Sequence, residues 1–345
     1  MSVTEPEHPR NVSLTDVAQA AGLSRSAVSY ALRGNPKIPA ATAARVQQLA
    51  DELGYKPDLR IKSLMTAIRQ RKALRRREPL AFAWLRTPRQ KDRLAPHVLH
   101  FSEAVRRGAH RRAEELGCAV EEFWLDDGDM QAGRLNQILH ARGIAGCVLC
   151  TAASNEPVRL EWDWSSLATA IVGHTEFSPP IHRAAHHHFL SVCSVLRRLA
   201  DEGWRRPAAI LSRTVQDRIH RAQHAAFLAN HPSPEEAPAL VRFSLPASFG
   251  ELEPWAADLA PDVLIVGWQL DALAVAVLQA KVPTARRIVT LDWYPHGVLP
   301  GVDPVNDDLA AKAVDLVVDQ LHRNDYGLPA RPTMMLREGV WRESW

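Results

Sequence analysis

Apolar residues recur at helical spacing through the first fifty or so residues, and strand-like runs begin only after residue 79. Leu14, Val17, Ala18 and Ala21 fall on one face of a first helix. Gly22 follows, where a left-handed turn is cheapest because glycine has no Cβ. Ser24 can then cap a second helix by accepting a bond from one of its orphan N–H groups. In that helix Val28, Ala31 and Leu32 turn inward with Leu23, while Arg25, Ser26, Ser29 and Tyr30 share the opposite, polar face. Two short helices about a Gly turn, the second with a polar outer face, can place a recognition helix in the DNA major groove. A helical hairpin packed inside some other domain has the same pattern, so both readings stand at this point. After a loop at Arg33-Gly34-Asn35-Pro36, Pro39 opens a third helix over 40–53, with Val46, Leu49, Ala50 and Leu53 as its core face. Gly54 closes it and Pro57 bars its continuation. A further helical stretch over 59–77 puts Ile61, Leu64, Met65 and Ile68 on one stripe.

From Pro79 the pattern alternates between strands and helices. Strands are predicted at 80–86, 119–125, 146–150, 167–173, 208–212, 241–245, 261–267 and 287–292. Helices are predicted at 102–117, 130–143, 189–203, 218–231, 270–281 and 307–324. Such alternation means parallel sheets with helices on both faces. The units are too many for one doubly wound sheet, so two lobes are expected, with a ligand cleft at the carboxyl ends of the strands.

Charge separates the two parts. Residues 10–78 hold 14 Lys and Arg against 5 Asp and Glu, whereas the rest of the chain holds 28 against 34. Residues 60–77 contain eight basic side chains and no acid. A basic module on a mildly acidic body is the footprint of a protein that neutralises phosphates with one end. The four cysteines do not make a disulfide framework, and no apolar run reaches the ~18 residues of a membrane span. Residues 1–11 lack the apolar middle of a signal peptide. A cytoplasmic protein is expected.

The headpiece resembles that of the LacI/GalR (lactose-repressor) family of bacterial transcription regulators. The resemblance rests on Asp16-Val17-Ala18, Ala21-Gly22-Leu23-Ser24, Ala27-Val28-Ser29 and Leu53-Gly54-Tyr55-Lys56-Pro57. Gly203-Trp204-Arg205-Arg206, Pro261-Asp262, Val282-Pro283 and the stretch from Ala311 to Gly327 continue it through the body. It implies an α/β chain: a three-helix helix-turn-helix headpiece, then a two-lobed periplasmic-binding-protein-like domain of parallel sheets. The expected divisions are a disordered tail (1–10), the headpiece (11–57), a hinge helix with basic linker (58–78) and the effector and dimerisation domain (79–345). It further implies a homodimeric repressor that binds an operator in double-stranded DNA and answers to a small molecule, expected to be a carbohydrate. No cofactor and no membrane partner are expected.

By similarity, Arg25, Ser26 and Tyr30 face base edges, Arg being the commonest reader of guanine. Ser24 and Ser29 fit phosphate contacts, and Ser13, Leu14, Arg33 and Tyr55 complete the expected DNA face. Tyr30 stands where the family more often has Arg, which puts the usual half-site sequence in question. Leu64 matches the family's hinge-helix wedge into the minor groove, and Ile61 stands where a small Ala is usual. The same stripe can instead form an interhelical dimer seam.

Candidate chemistry in the body is sparse. His186-His187-His188 cannot converge on one metal ion as neighbours on one element, and no partner cluster has zinc spacing. A solvated helix start or a cleft lining is expected of that run, with His187 as the cleft candidate. Cys147 and Cys150 read as buried strand residues on opposite faces. Trp268 and Trp293 follow predicted strands at their carboxyl ends, while Arg218 resembles the family's ligand-binding Arg and Asp292 its strand-end Asp. These four, with His187, are the expected effector contacts. No enzyme signature such as a phosphate-cradling loop or a nucleophile elbow is found. A sugar-binding or sugar-modifying enzyme with an appended headpiece is the alternative.

Overall fold

The apolar face expected of the first helix, α1 (Leu14–Ala21), is buried at Val17, Ala18 and Ala21. The computed structural model describes residues 12, 14–32, 38–55, 77–86, 96–125, 132–151, 156–243, 252–268, 270–295 and 297–343, the side chains of Ser26 and Ala132 excepted. The expected tail, Ser13, the loop at 33–36 with Arg33, and the stretch 58–76 with Ile61 and Leu64 lie outside them. The chain divides into two units, Met1–Arg76 and Arg77–Trp345.

In the first unit Gly22 turns the chain at φ +67°. The second helix, α2 (Arg25–Ala31), has Ser24 as its N-cap, whose Oγ accepts from the Ala27 N–H at 3.2 Å. The third, α3 (Ala40–Leu53), ends at Gly54 in left-handed conformation. Arg45 of α3 donates to the Ala21 carbonyl at 3.2 Å, satisfying an orphan acceptor at the end of α1. Val17, Ala18, Ala21, Val28, Ala31, Val46 and Ala50 form the core, with Leu14, Leu23, Leu32, Leu49 and Tyr55 against it. Leu53, expected in that core, is 39% exposed. The last turn of α3 runs past Ala50, and the chain folds back there through a 2.8 Å bond from the Tyr55 N–H to the Ala50 carbonyl. Tyr55 covers the core in place of Leu53.

The second unit opens with β1 (Glu78–Leu85), α4 (Pro96–Glu115), β2 (Cys118–Trp124), α5 (Ala132–Arg142) and β3 (Gly146–Thr151). Then come β4 (Val158–Arg159), β5 (Ala168–Val172), β6 (Phe177–Ser178) and β7 (His182–His186). The chain crosses to the second lobe through α6 (His188–Asp201), β8 (Pro207–Leu211), α7 (Arg213–Arg218), α8 (Ala222–Asn230) and β9 (Val241–Phe243). It continues as α9 (Leu252–Leu259), β10 (Val263–Val266), α10 (Ala272–Lys281), β11 (Arg287–Thr290) and β12 (Gly301–Asp303). It returns through α11 (Asn306–Arg323) and β13 (Met334–Arg337), and crosses a last time to β14 (Val340–Arg342). The first sheet runs β13-β7-β5-β3-β1-β2, parallel throughout; the second runs β14-β12-β11-β10-β8-β9, with only β14 antiparallel. Gln320 pins α11 to the first sheet, accepting from the Thr169 N–H and donating to its carbonyl, each at 3.1 Å.

Cys147 and Cys150 are fully buried on opposite faces of β3, in different core clusters. Burial pushes both thiols up, which makes them inert rather than reactive. The three crossings of the chain between lobes press together. A Cβ on Gly339 would lie 2.2 Å from Val302 Cγ1, 2.9 Å from the Asp303 carbonyl oxygen and 2.9 Å from His186 Cε1, so only glycine fits between them.

Several expectations change here. The helix expected from 102 begins at Pro96, and the one expected over 218–231 starts only at Ala222 as α8, after the unanticipated α7 that ends at Arg218. Positive φ angles at His220 and Arg221 (52° and 58°) interrupt it, since two left-handed residues cannot continue a helix. Strands β7 and β12 to β14, and helix α9, were not anticipated. The four residues of β13 are all exposed and those of β14 nearly so, leaving no alternating pattern to read. Among the described residues no helix is long and apolar enough to cross a membrane.

Candidate functional site

In the first unit, the buried stripe of α2 fixes which way its other residues face. Val28 and Ala31 point into the core, so Ser24, Arg25 and Tyr30 are exposed and Ser29 is half-buried at the edge of the same face. Leu14 and Tyr55 are half-buried against the core and present only part of their side chains. The backbone of Ser26 lies in α2. No carboxylate occupies the first turn of α2, so a phosphate approaching Arg25 meets no acid on that helix turn. An exposed Arg and Tyr on a helix braced by two others can meet base edges and phosphates at once.

In the second unit, polar groups from both lobes meet. His174 follows the end of β5; its Nε2 lies 2.7 Å from the His186 carbonyl at the end of β7. The His174 and His188 rings are 5.0 Å apart, and those of His186 and His188 4.7 Å apart and nearly perpendicular. Burial holds His174 down to about 4, aided by the charges of Arg183, Arg218 and His220. Burial likewise holds His186 at about 3 and pushes His188 well below the usual histidine range. His186 Nε2 is bonded to Ser191 Oγ at 2.8 Å. From the second lobe comes Arg218, at the last position of α7. Burial lowers its pKa, and the charge of Asp292, just beyond β11, opposes that. Burial raises Asp292, against the pull of His97 and Arg218. Beside it Tyr294 faces His100 of α4, with ring centroids 5.4 Å apart. The cleft is therefore closed by His97 and His100 against Asp292 and Tyr294, and by the histidine group against Arg218.

Of the five expected effector contacts, Arg218 and Asp292 come together in this cleft. His187 serves as N-cap of α6, its Nδ1 accepting from the Leu190 N–H at 3.4 Å. The neighbour that joins the cluster is His188. The expectation of a solvated helix start fails for His186, which is buried as the end residue of β7. Trp268 is half-buried against the core of the second lobe. Trp293 is buried under the Arg342 guanidinium, 5.9 Å from its ring, with its backbone N–H bonded to Val302. His174, His188, His97, His100 and Tyr294 were not singled out from the sequence. Only His174 carried a usable signal, its place directly after Gly173 at the carboxyl end of a strand. No group of three or more His, Cys, Asp or Glu among the described residues is arranged to hold a metal ion.

The chain thus joins a small helical unit with Arg25 and Tyr30 exposed on α2 to a two-lobed α/β unit with polar groups from both lobes between them. Residues 13–58 match the family described as bacterial regulatory proteins, lacI family. The transcriptional regulator MalR of Streptococcus pneumoniae serotype 4 is 26% identical over 147 residues. That alignment takes in 43% of this chain, which spans 41% of the length of that relative. Among solved structures, the transcriptional regulator CelR in complex with cellobiose matches with a TM-score of 0.53 at 18% identity, covering 96% of this chain and 99% of its own. The lac repressor dimer bound to operator and the anti-inducer ONPF matches at 0.51 and 15%, covering 97% and 98%. Both likenesses show the fold.

Proposed function

We propose that this chain is a transcriptional repressor that binds a pseudo-palindromic DNA operator as a homodimer, under control of a carbohydrate bound between its lobes. The observation that carries the reading is the exposed Arg25–Tyr30 face of α2, within the segment that matches the lacI family. Arg25, Ser26 and Tyr30 meet base edges; Ser13, Leu14, Ser24, Ser29, Arg33 and Tyr55 position the headpiece on the backbone. Ile61 and Leu64 belong to the hinge segment. Arg218 and Asp292, with His174 and His188 beside them, form the effector side. The names of the relatives support regulation rather than turnover, CelR being held with cellobiose and the lac repressor with operator. A ligand that binds one lobe arrangement better than the other biases operator affinity by that difference. The working compartment is the cytoplasm, and no cofactor takes part.

The test is selection of bound fragments from a sheared genomic library by the purified chain in ~150 mM salt, which suppresses non-specific phosphate binding. Recovery of a pseudo-palindrome is expected. Uniform recovery without a motif would sink the reading.

A further inference from the structure

The cleft wall contains a hydrogen-bond relay whose direction is fixed at one end. A backbone N–H can only donate, so the N–H of His224 makes Gln216 Oε1 an acceptor, at 3.2 Å. The other end of that amide, Nε2, donates to Gln223 Oε1 at 2.6 Å. Gln223 then has its own Nε2 to give, and it donates to His188 Nδ1 at 3.4 Å. Gln216 and Gln223 are 1% and 2% exposed, so water does not reorient them. A ring whose Nδ1 accepts carries its proton on Nε2 and stays neutral, because protonation would set donor against donor. His188 is thereby fixed as a neutral Nε2–H donor. Its neighbour His174 is the same tautomer, but its Nε2 proton is given to the His186 carbonyl, so it is Nδ1, an acceptor, that it can offer.

The charges around this pair are unequal. Arg218 lies within electrostatic reach of both His188 and His174, and Arg183 of His174. The Arg183 guanidinium is anchored on the Gly173 carbonyl and contributes charge from there. The carboxylate opposite Arg218 is Asp292; the next one, Asp303, is held by Arg342 at 3.3 Å. Fixed donors beside a buried guanidinium favour a group that only accepts, whereas a neutral sugar offers hydroxyls that must also donate.

Building on the carbohydrate reading of the cleft, we propose that the effector is a sugar bearing an oxyanion, a carboxylate or a phosphate, which is received by Arg218 and His188 Nε2–H. Its hydroxyls are served by Asp292 and by His174 Nδ1. His188 is the specificity-determining contact, and Gln223 is the positioning residue that sets its tautomer.

Calorimetric titration of the full chain with gluconate, glucuronate, galacturonate, glucose 6-phosphate and galactose 6-phosphate, against glucose and galactose, tests this. One oxyanion-bearing member is expected to bind at least about 100-fold tighter than its neutral parent, and the acid and phosphate arms identify the anion. Equal or tighter binding of the neutral sugars, or no binding across the panel, overturns it. His188→Gln, which keeps an N–H near the Nε2 position, should retain the preference that His188→Phe loses. In nitrogen-15 spectra His188 should show the proton on Nε2, and Gln223→Glu should shift it to Nδ1. A wild-type Nδ1–H ring would refute the relay. Operator selection with the same protein keeps the two readings apart: a recovered operator without anion preference sinks only this one, and anion preference without an operator sinks only the regulator.

Discussion

The two units place their candidate working residues in opposite ways. In the first, Ser24 to Tyr30 lie within one seven-residue helix and its cap, and the core beneath exists to push that face outward. In the second, the candidate groups come from α4, the end of β5, the start of α6, the end of α7 and the end of β11, and all but the exposed His97 are half-buried. Contact with DNA needs a rigid protrusion, whose polar groups stay hydrated until the partner arrives. Holding a small molecule needs walls from several elements, and that enclosure strips water from the groups that do the holding. Ionisation is therefore shifted at His174, His186, His188, Arg218 and Asp292.

If that contrast is right, the units respond independently to damage in the core. Phe82, 1% exposed on β1, sits in the core of the first sheet. Phe82→Ala should cost the second unit about 3–5 kcal/mol. All ten tryptophans lie at position 84 or beyond, so indole fluorescence in urea follows this unit alone. Far-ultraviolet circular dichroism, which also sees α1 to α3, should then show a component that Phe82→Ala leaves in place. Coincident loss of both signals would break the comparison.

Acid should act on the enclosed unit in the same selective way. His174 and His186 are held at about 4 and 3 in the folded protein, against an ordinary value of 6.5. Below 6.5 the unfolded chain takes up protons that the folded one refuses, so the stability these histidines confer is present above that pH and is lost toward their folded values. Going from pH 7 to pH 5 should remove about 2 kcal/mol for each. Asp292 works the other way, since burial raises it and protonation relieves that cost at lower pH. His174→Asn should flatten the dependence of fluorescence-detected unfolding on pH between 7 and 5; an unchanged slope would mean that His174 is hydrated.

The same contrast explains what the sequence revealed. The α2 face was legible because one helix repeats its apolar stripe every turn, and its Gly22 turn and Ser24 cap are local signals. The range of α3 was read to the residue for that reason, and Leu53 was misplaced only because Tyr55 folds back over the core. In the cleft, Arg218 and Asp292, singled out by resemblance, lie together, whereas Trp268 and Trp293, singled out by strand ends, pack in the second lobe, and His188 was passed over for His187. Nothing in three adjacent histidines says which one caps a helix and which one faces the cleft; that depends on where β7 stops. The break between α7 and α8 turns on two left-handed residues, neither of them glycine, and so leaves no trace in composition.

Within the DNA face, base reading and charge should separate. Arg25→Ala is expected to cost about 1–3 kcal/mol at one base-pair position and to relax selection there. Replacing Arg75 and Arg76 by Ala should weaken every sequence alike and reduce the slope of log affinity against log salt by about 1 for each phosphate that is no longer neutralised. Competition binding over a set of single-base operator variants at several salt concentrations checks both. The same effect from both changes would mean that α2 does not read bases.

The smallest expected effect is the most pointed, because Ser24 has two duties that one substitution confuses and two can separate. As N-cap it accepts from the Ala27 N–H, and Ser24→Ala should lower headpiece stability by about 1 kcal/mol. As an exposed hydroxyl at the edge of the DNA face it also fits a phosphate contact. Ser24→Asp keeps a capping oxygen and adds a negative charge near the helix N-terminus, which favours the helix. The same charge repels a phosphate. Ser24→Asp should therefore preserve thermal stability of the helical signal and still weaken operator binding, while Ser24→Ala should lower stability with a smaller direct effect on DNA. If Ser24→Asp bound operator as well as the wild type, Ser24 would be a cap alone, and the DNA face would begin at Arg25.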